Sequence, residues 1–206
     1  MKVLLLNGSS NPNGCTYTML AEVEKMLVKN GLETEWFQLG NKPIRGCIGC
    51  RECFAKKKCV FDDDIANALA ERMLEADGIV IGSPVYYAGP NGALCAVLDR
   101  VFYSNMGRFM FKPAAAVVNC RRGGASAAFD RLNKYFTISQ MPVVSSQYWN
   151  ATHGFVPEHV EKDLEGMQIM RVLGTNMAWM LKCIEAGGDK PEIEAERFMT
   201  NFHDGL

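Results

Sequence analysis

A long apolar run is missing from the N-terminus, MKVLLLNGSS, where only four apolar residues follow Lys2 before polar ones begin. That is too short for a signal-peptide core and far too short to span a bilayer, so a cytoplasmic protein with no membrane span is expected. Charge of one sign is missing too. With 22 Lys and Arg against 23 Asp and Glu, the net charge is −1, which gives no field to draw nucleic acid or an anionic membrane. There is no internal repeat and no low-complexity linker, and 206 residues suit one compact domain. In a reducing compartment the eight cysteines read as thiols or ligands before they read as disulfides.

What is present is an alternation of short apolar runs and longer helical patterns. KVLLLN (2–7) reads as a buried strand that ends in a Gly/Ser/Asn/Pro-rich turn. A helix is expected over 16–29, with Met19, Leu20, Val23, Met26 and Leu27 on one face and Asn30-Gly31 as its stop. LETEWFQL (32–39) alternates as a second strand. The acidic residues 62–64 offer a cap and first turn for a helix whose apolar face is Ile65, Ala68, Leu69, Met73 and Leu74. Then come GIVIGSPV (78–85), a helix over 93–103, AAAVVNC (114–120) and a helix over 125–136. PVVSSQYW (142–149) reads as the last strand, and a long helix covers 160–185. Strands alternating with helices imply an α/β fold: a doubly wound, five-stranded parallel sheet of flavodoxin-like order 2-1-3-4-5 with helices on both faces. It is assigned to residues 1–188, with 189–206 expected as a tail or short helix.

In such a sheet, ligands bind beyond the carboxyl ends of the strands where strand order reverses, which singles out three loops. GSSNPNGCT (8–16) leaves the first strand and opens the first helix, so its N–H groups and the hydroxyls of Ser9, Ser10 and Thr16 suit a phosphate, or else form a plain polar turn. It is neither a dinucleotide G-x-G-x-x-G nor a P-loop, since no Gly-Lys-Ser/Thr ends it. SPVYYAGPNG (83–92) offers a fixed backbone path and the flat faces of Tyr86 and Tyr87 for a planar ring, with donors from the amides of 85–88. NCRRGGAS (119–126) carries a Gly-Gly pair that permits close backbone approach.

These residues resemble the NAD(P)H-dependent FMN reductase and iron–sulfur flavoprotein group of the flavodoxin superfamily. The resemblance rests on GSSNPNGCT, on ADGIVIGSPVYYAGPNGALCAVLDR (76–100), on RRGG (121–124), and on SQYWNATHG (146–154) with the helix that follows. It implies FMN at the edge of the sheet. Ser9, Ser10, Asn13, Cys15 and Thr16 would hold the phosphate, and Pro84, Val85, Tyr86 and Tyr87 would lie along the ring. Asn119, Cys120, Arg121, Gly123 and Gly124 would close the other side. This chain has Asn11 and Cys15 where many relatives carry a basic residue and an Asn. The resemblance also implies a homodimer or homotetramer whose neighbouring subunit completes the flavin site. NAD(P)H would be the co-substrate, and a quinone, a flavin or another small acceptor would take the electrons. Flavin chemistry needs no obligatory side-chain acid or base. His153 is the one candidate for assisting protonation, against the plainer reading of a structural histidine.

CIGCRECFAKKKC (47–59) is the remaining signal. The Cys47-x2-Cys50-x2-Cys53 spacing, with Cys59 as a fourth thiol, suits a [4Fe–4S] cluster and looks like the motif of iron–sulfur flavoproteins. Zinc is a second candidate, and thiols packed without a metal a third. The expectation is an FMN oxidoreductase whose flavin works alone. The alternatives are an iron–sulfur flavoprotein relaying electrons between FMN and the cluster, with a redox protein as partner, and a non-enzymatic flavodoxin-like carrier or redox sensor. The near-neutral charge argues against the carrier, since such proteins steer by strong acidity. FYSNMGRFMF (102–111) is expected as a flap over the flavin or a subunit interface.

Overall fold

The computed structural model describes residues 1–194 and 198. In chain order the elements are β1 (Lys2–Asn7), α1 (Cys15–Lys29), β2 (Glu33–Gln38), α2 (Cys53–Lys56), α3 (Ala66–Glu75), β3 (Gly78–Tyr86), β4 (Gly89–Pro90) and α4 (Gly92–Ser104). β5 (Ala114–Cys120), α5 (Ala125–Ile138), β6 (Ala151–His153), α6 (Pro157–Lys162) and α7 (Leu164–Gly187) follow. The sheet runs β2-β1-β3-β5-β6, and every pair along that path is parallel. The one addition to the expected order is β4, which folds back antiparallel on the end of β3. Residues 189–194 carry no helix. Most of the expected tail lies outside the described residues.

The two-residue period of the buried strands sorts their side chains into two cores. Leu4, Leu6, Ile79, Ile81, Ala116 and Val118 face α3, α4 and α5, where Leu69, Met73, Leu98, Leu132 and Phe136 meet them. Val3, Leu5, Val80, Ala115 and Val117 face α1 and α7 through Leu20, Val23, Leu173 and Met177. α7 crosses α1 so closely that a Cβ on Gly174 would lie 2.7 Å from the Val23 carbonyl oxygen.

The same crossing holds a titratable lock. Glu22, its side chain only 9% exposed, accepts from Lys25 Nζ at 2.7 Å and from Arg171 Nη1 at 2.8 Å. Burial pushes this carboxyl up, but the Lys25 and Arg171 hydrogen bonds outweigh burial and hold it below the usual value. A depressed folded value means that the unfolded chain takes up the proton first as the pH falls. The stabilisation is therefore complete above the ordinary carboxylate range and is lost as the pH drops through it. Melting temperatures measured between about pH 6 and about pH 3 should fall more steeply for the wild type than for Glu22→Gln. Parallel profiles would dismiss the lock.

Two expectations are corrected. The last strand is not 142–149: Val143 makes a single bridge to Ala114, the chain then leaves the sheet, and pairing resumes only at Ala151–His153. The Asn150 side chain explains the gap, since its Nδ2 donates to Ala116 O at 3.0 Å in place of a backbone ladder bond. The long helix over 160–185 is two helices, broken at Asp163. Its carboxylate accepts from Gly166 N at 2.9 Å, capping α7, and from His153 N at 2.7 Å, tying that cap to β6. Losing such a cap costs about 0.5–2 kcal/mol, so Asp163→Ala should lower Tm by roughly 1–8 °C. An unchanged calorimetric transition would show that the cap carries no such energy.

Candidate functional site

The three loops meet at the carboxyl edge of the sheet. The Asn7 carboxamide oxygen accepts from Ser9 N at 3.2 Å, which turns the chain as it leaves β1. Asn91 joins the first two loops. Its Nδ2 donates to Gly8 O at 2.9 Å, its own amide donates to Ser83 Oγ at 3.0 Å, and its Oδ1 caps α4 by accepting from Ala93 N at 3.0 Å. Asn119, at the end of β5, donates to Thr152 Oγ1 at 3.0 Å and fixes β6 beside it. Gly154 N donates to Cys120 O at 3.0 Å, which brings the segment after β6 to the same edge.

The result is a cleft of about 450 Å³, lined among others by Ser9, Cys15, Thr16, Pro84, Val85, Tyr86, Asn119 and Arg121. α1 begins there at Gly14, which offers no side-chain cap, so the first-turn amides stay free for an anion. Among the described residues, Arg121 is the single charged side chain of the lining. A helix N-terminus, hydroxyls and one cation at one end, with Val85 and Tyr86 along a wall, fit a phosphate carrying a planar ring. Burial pushes the Cys15 thiol up, which keeps it neutral beside that anion site.

Not every expected residue arrives. Ser10 and Asn13 are exposed and do not line the cleft. Tyr87 points wholly into solvent, because it and Ala88 form the turn between β3 and β4 with φ of 49° and 60°. Cys120 is buried in the core. Gly123 and Gly124 line an adjoining hollow of about 320 Å³ with Tyr148, Trp149, Arg122 and His153. His153 lies 3.5 Å from Asp163 through Nδ1. Sequence reasoning missed Asn11 and the 154–157 segment, whose Phe155, Val156 and Pro157 close the cleft. The Gly154…Pro157 punctuation after a strand was its only signal.

FYSNMGRFMF is no flap over this cleft. Phe102 and Phe109 are buried and packed on one another at 5.3 Å between centroids. Phe102, Tyr103, Met106, Met110 and Ile138 border a separate, mostly apolar cavity of about 420 Å³.

The cysteine segment lies apart from this cleft. Cys47, Cys50, Cys53 and Cys59 all line one small cavity, floored by Arg100, Tyr103 and Ser104 of α4. Cys53 is buried at the start of α2, where burial and then the neighbouring Cys50, Cys47 and Cys59 push its thiol up. Cys59 is pinned by Asn67, which accepts from its amide and donates to its carbonyl, both at 3.0 Å. Arg100 donates from Nε to Cys59 Sγ at 3.2 Å. Four convergent thiols, one bonded by a buried cation, form a donor set that fits an iron–sulfur cluster. Among the described residues, no group of three or more His, Cys, Asp or Glu side chains is placed to hold a metal ion. Nor is any helix long and apolar enough to cross a membrane.

The family described as NADPH-dependent FMN reductase matches residues 1–156. An iron–sulfur flavoprotein of Methanocaldococcus jannaschii is 33% identical over 193 residues, covering 90% of this chain and 100% of that protein. One from Methanosarcina thermophila is 26% identical, covering 92% of this chain and all of that protein. Among solved structures, RosB with a bound riboflavin-phosphate intermediate superposes with a TM-score of 0.73 at 15% identity, covering 98% of this chain and 92% of that one. An archaeal flavodoxin gives a TM-score of 0.60 at 14% identity, covering 88% and 99%. Both structural likenesses speak for the fold.

Proposed function

The chain belongs to the NADPH-dependent FMN reductase family, beside the iron–sulfur flavoproteins, and from that premise we propose an NAD(P)H-dependent FMN oxidoreductase that also holds a [4Fe–4S] cluster on Cys47, Cys50, Cys53 and Cys59. The sequence alone leaned to a flavin working without a partner. The observation that favours the alternative is the convergence of all four thiols on one cavity. When bound, FMN supplies hydride acceptance and electron release, and the cluster a one-electron store.

The residues have separable tasks in this reading. The first turn of α1, Ser9, Thr16 and Arg121 hold the phosphate. Val85 and Tyr86 orient the ring, and Phe155 and Val156 keep water from it. Exposed aromatics around the cleft, among them Tyr87, Trp149 and Phe155, mark a contact surface suited to a second subunit that completes the site. The acceptor is a quinone, a flavin or a redox protein.

The test is the visible spectrum of anaerobically purified protein, with iron and acid-labile sulfide assayed beside it, followed by NAD(P)H oxidation with a quinone acceptor. Flavin bands with iron and sulfide are expected. Flavin without iron after anaerobic reconstitution sinks the cluster and leaves the simple reductase. No flavin even with FMN added sinks the whole reading.

A further inference from the structure

Among the described residues, Arg100 is the largest fully buried side chain, at 2% exposure, and a charge is not buried without partners. Its partners trace the cysteine segment from end to end. Nη1 donates to Arg45 O at 3.2 Å, just before the first cysteine, and Nη2 donates to Phe61 O at 3.0 Å, just after the last. Nε donates to Cys59 Sγ at 3.2 Å. Nη1 also makes an ion pair with Asp64, whose side chain is 6% exposed. Asp64 in turn accepts from Ala66 N at 3.0 Å and Arg45 N at 3.3 Å, so the counter-ion is fixed as firmly as the cation.

A neutral core would hold such a loop more cheaply with apolar packing, because buried ion pairs seldom repay their desolvation. A guanidinium aimed at a sulfur has a use where that sulfur is an anionic ligand. Reducing a four-thiolate cluster by one electron adds negative charge to the site with no proton to balance it. A donor fixed on a ligand sulfur favours the reduced state.

We propose that Arg100 is a positioning residue that sets the reduction potential of the cluster by donating from Nε to the Cys59 thiolate. This rests on the cluster reading above. It further assigns to the neighbouring Asp64 the task of holding the guanidinium plane so that Nε, and not a terminal nitrogen, meets the sulfur.

The experiment needs no substitution at first. Protein carrying guanidino-15N arginine is reconstituted anaerobically, reduced, and read by pulsed electron paramagnetic resonance. A 15N coupling from arginine to the reduced cluster is expected. The double variant Arg100→Met with Asp64→Asn then removes the ion pair as a unit, so no orphaned carboxylate confuses the result. Its reduced-to-oxidised ratio at fixed potential should fall about tenfold, which is 59 mV for a one-electron couple. Absence of the 15N coupling overturns the inference, and so does an unchanged midpoint in a double variant that keeps wild-type iron content. If that variant fails to fold, the coupling decides alone. A wild type that binds no iron at all sinks the cluster reading first and this inference with it, which separates the two failures.

Discussion

Replacing Gly124 with alanine is expected to weaken FMN binding by at least about tenfold while the protein still folds. Gly124 caps α5 with a φ of +90°, and a Cβ there would lie 2.6 Å from Ala88 Cα, 2.9 Å from Ala88 Cβ and 3.2 Å from Val85 Cγ1. The left-handed backbone costs a non-glycine residue about 1–2 kcal/mol, and overpacking adds roughly 1–3 kcal/mol. Which structure yields decides the outcome. The helix α5 is anchored in the core by Ala128, Leu132 and Phe136, whereas the turn at Tyr87 and Ala88 is exposed and already strained at two positive φ values. The turn therefore moves outward and carries Val85 and Tyr86, a wall of the cleft, with it. Stability falls near the low end of those costs, and affinity falls further than stability. Flavin titration and calorimetry on the same preparations check this. Gly123→Ala is the control, because its Cβ meets nothing within 4 Å. Equal affinities in the two variants would show that the contact between the second and third loops does not shape the cleft.

Most of the scaffold that holds this cleft was legible in the chain. β1, β3 and β5 are continuous apolar runs because both faces of a parallel sheet are covered, and α1, α4 and α5 begin within a residue of where their apolar periodicity starts. Where reading failed, a side chain had taken over a backbone task. Asn150 replaces a ladder bond and hides the break before β6. Asp163 stops α6 and starts α7 inside a helical pattern that runs through Val160, Leu164 and Met167 without interruption, although Leu164 is 79% exposed. The same limit applied at the site. That loops 8–16, 83–92 and 119–126 share an edge follows from strand order, so their meeting was foreseen. That Tyr87 turns away while Phe155 borders the cleft depends on a two-residue turn and on the Gly154–Cys120 bond, and neither leaves a periodic trace. Arg100 falls inside the helix expected over 93–103 and carries no signal of its own there. Only its partners, all distant in sequence, give it a role.

Cys53→Ala should remove the iron and leave the flavin. Cys53 is buried and starts α2, so alanine, slightly smaller and a strong helix former, fits the position with little strain. In the cluster reading it removes one of four ligands, and the thiols that remain are more exposed, with Cys47 and Cys50 open to solvent. Iron and sulfide should fall to near background after anaerobic reconstitution. FMN content should not change, because the thiol cavity and the flavin cleft share no lining residue. Gly124→Ala should show the reverse pattern, wild-type iron with weakened flavin, since Gly124 touches the turn at Ala88 and nothing of the cysteine segment. The two variants together thus separate one protein into two centres. NAD(P)H oxidation with a quinone should survive in Cys53→Ala if that acceptor takes electrons at the flavin, and should fall if the acceptor is served at the cysteines. Wild-type iron in Cys53→Ala would mean that the four thiols do not act as a set, and the convergence of 47–59 on one cavity would then be packing alone.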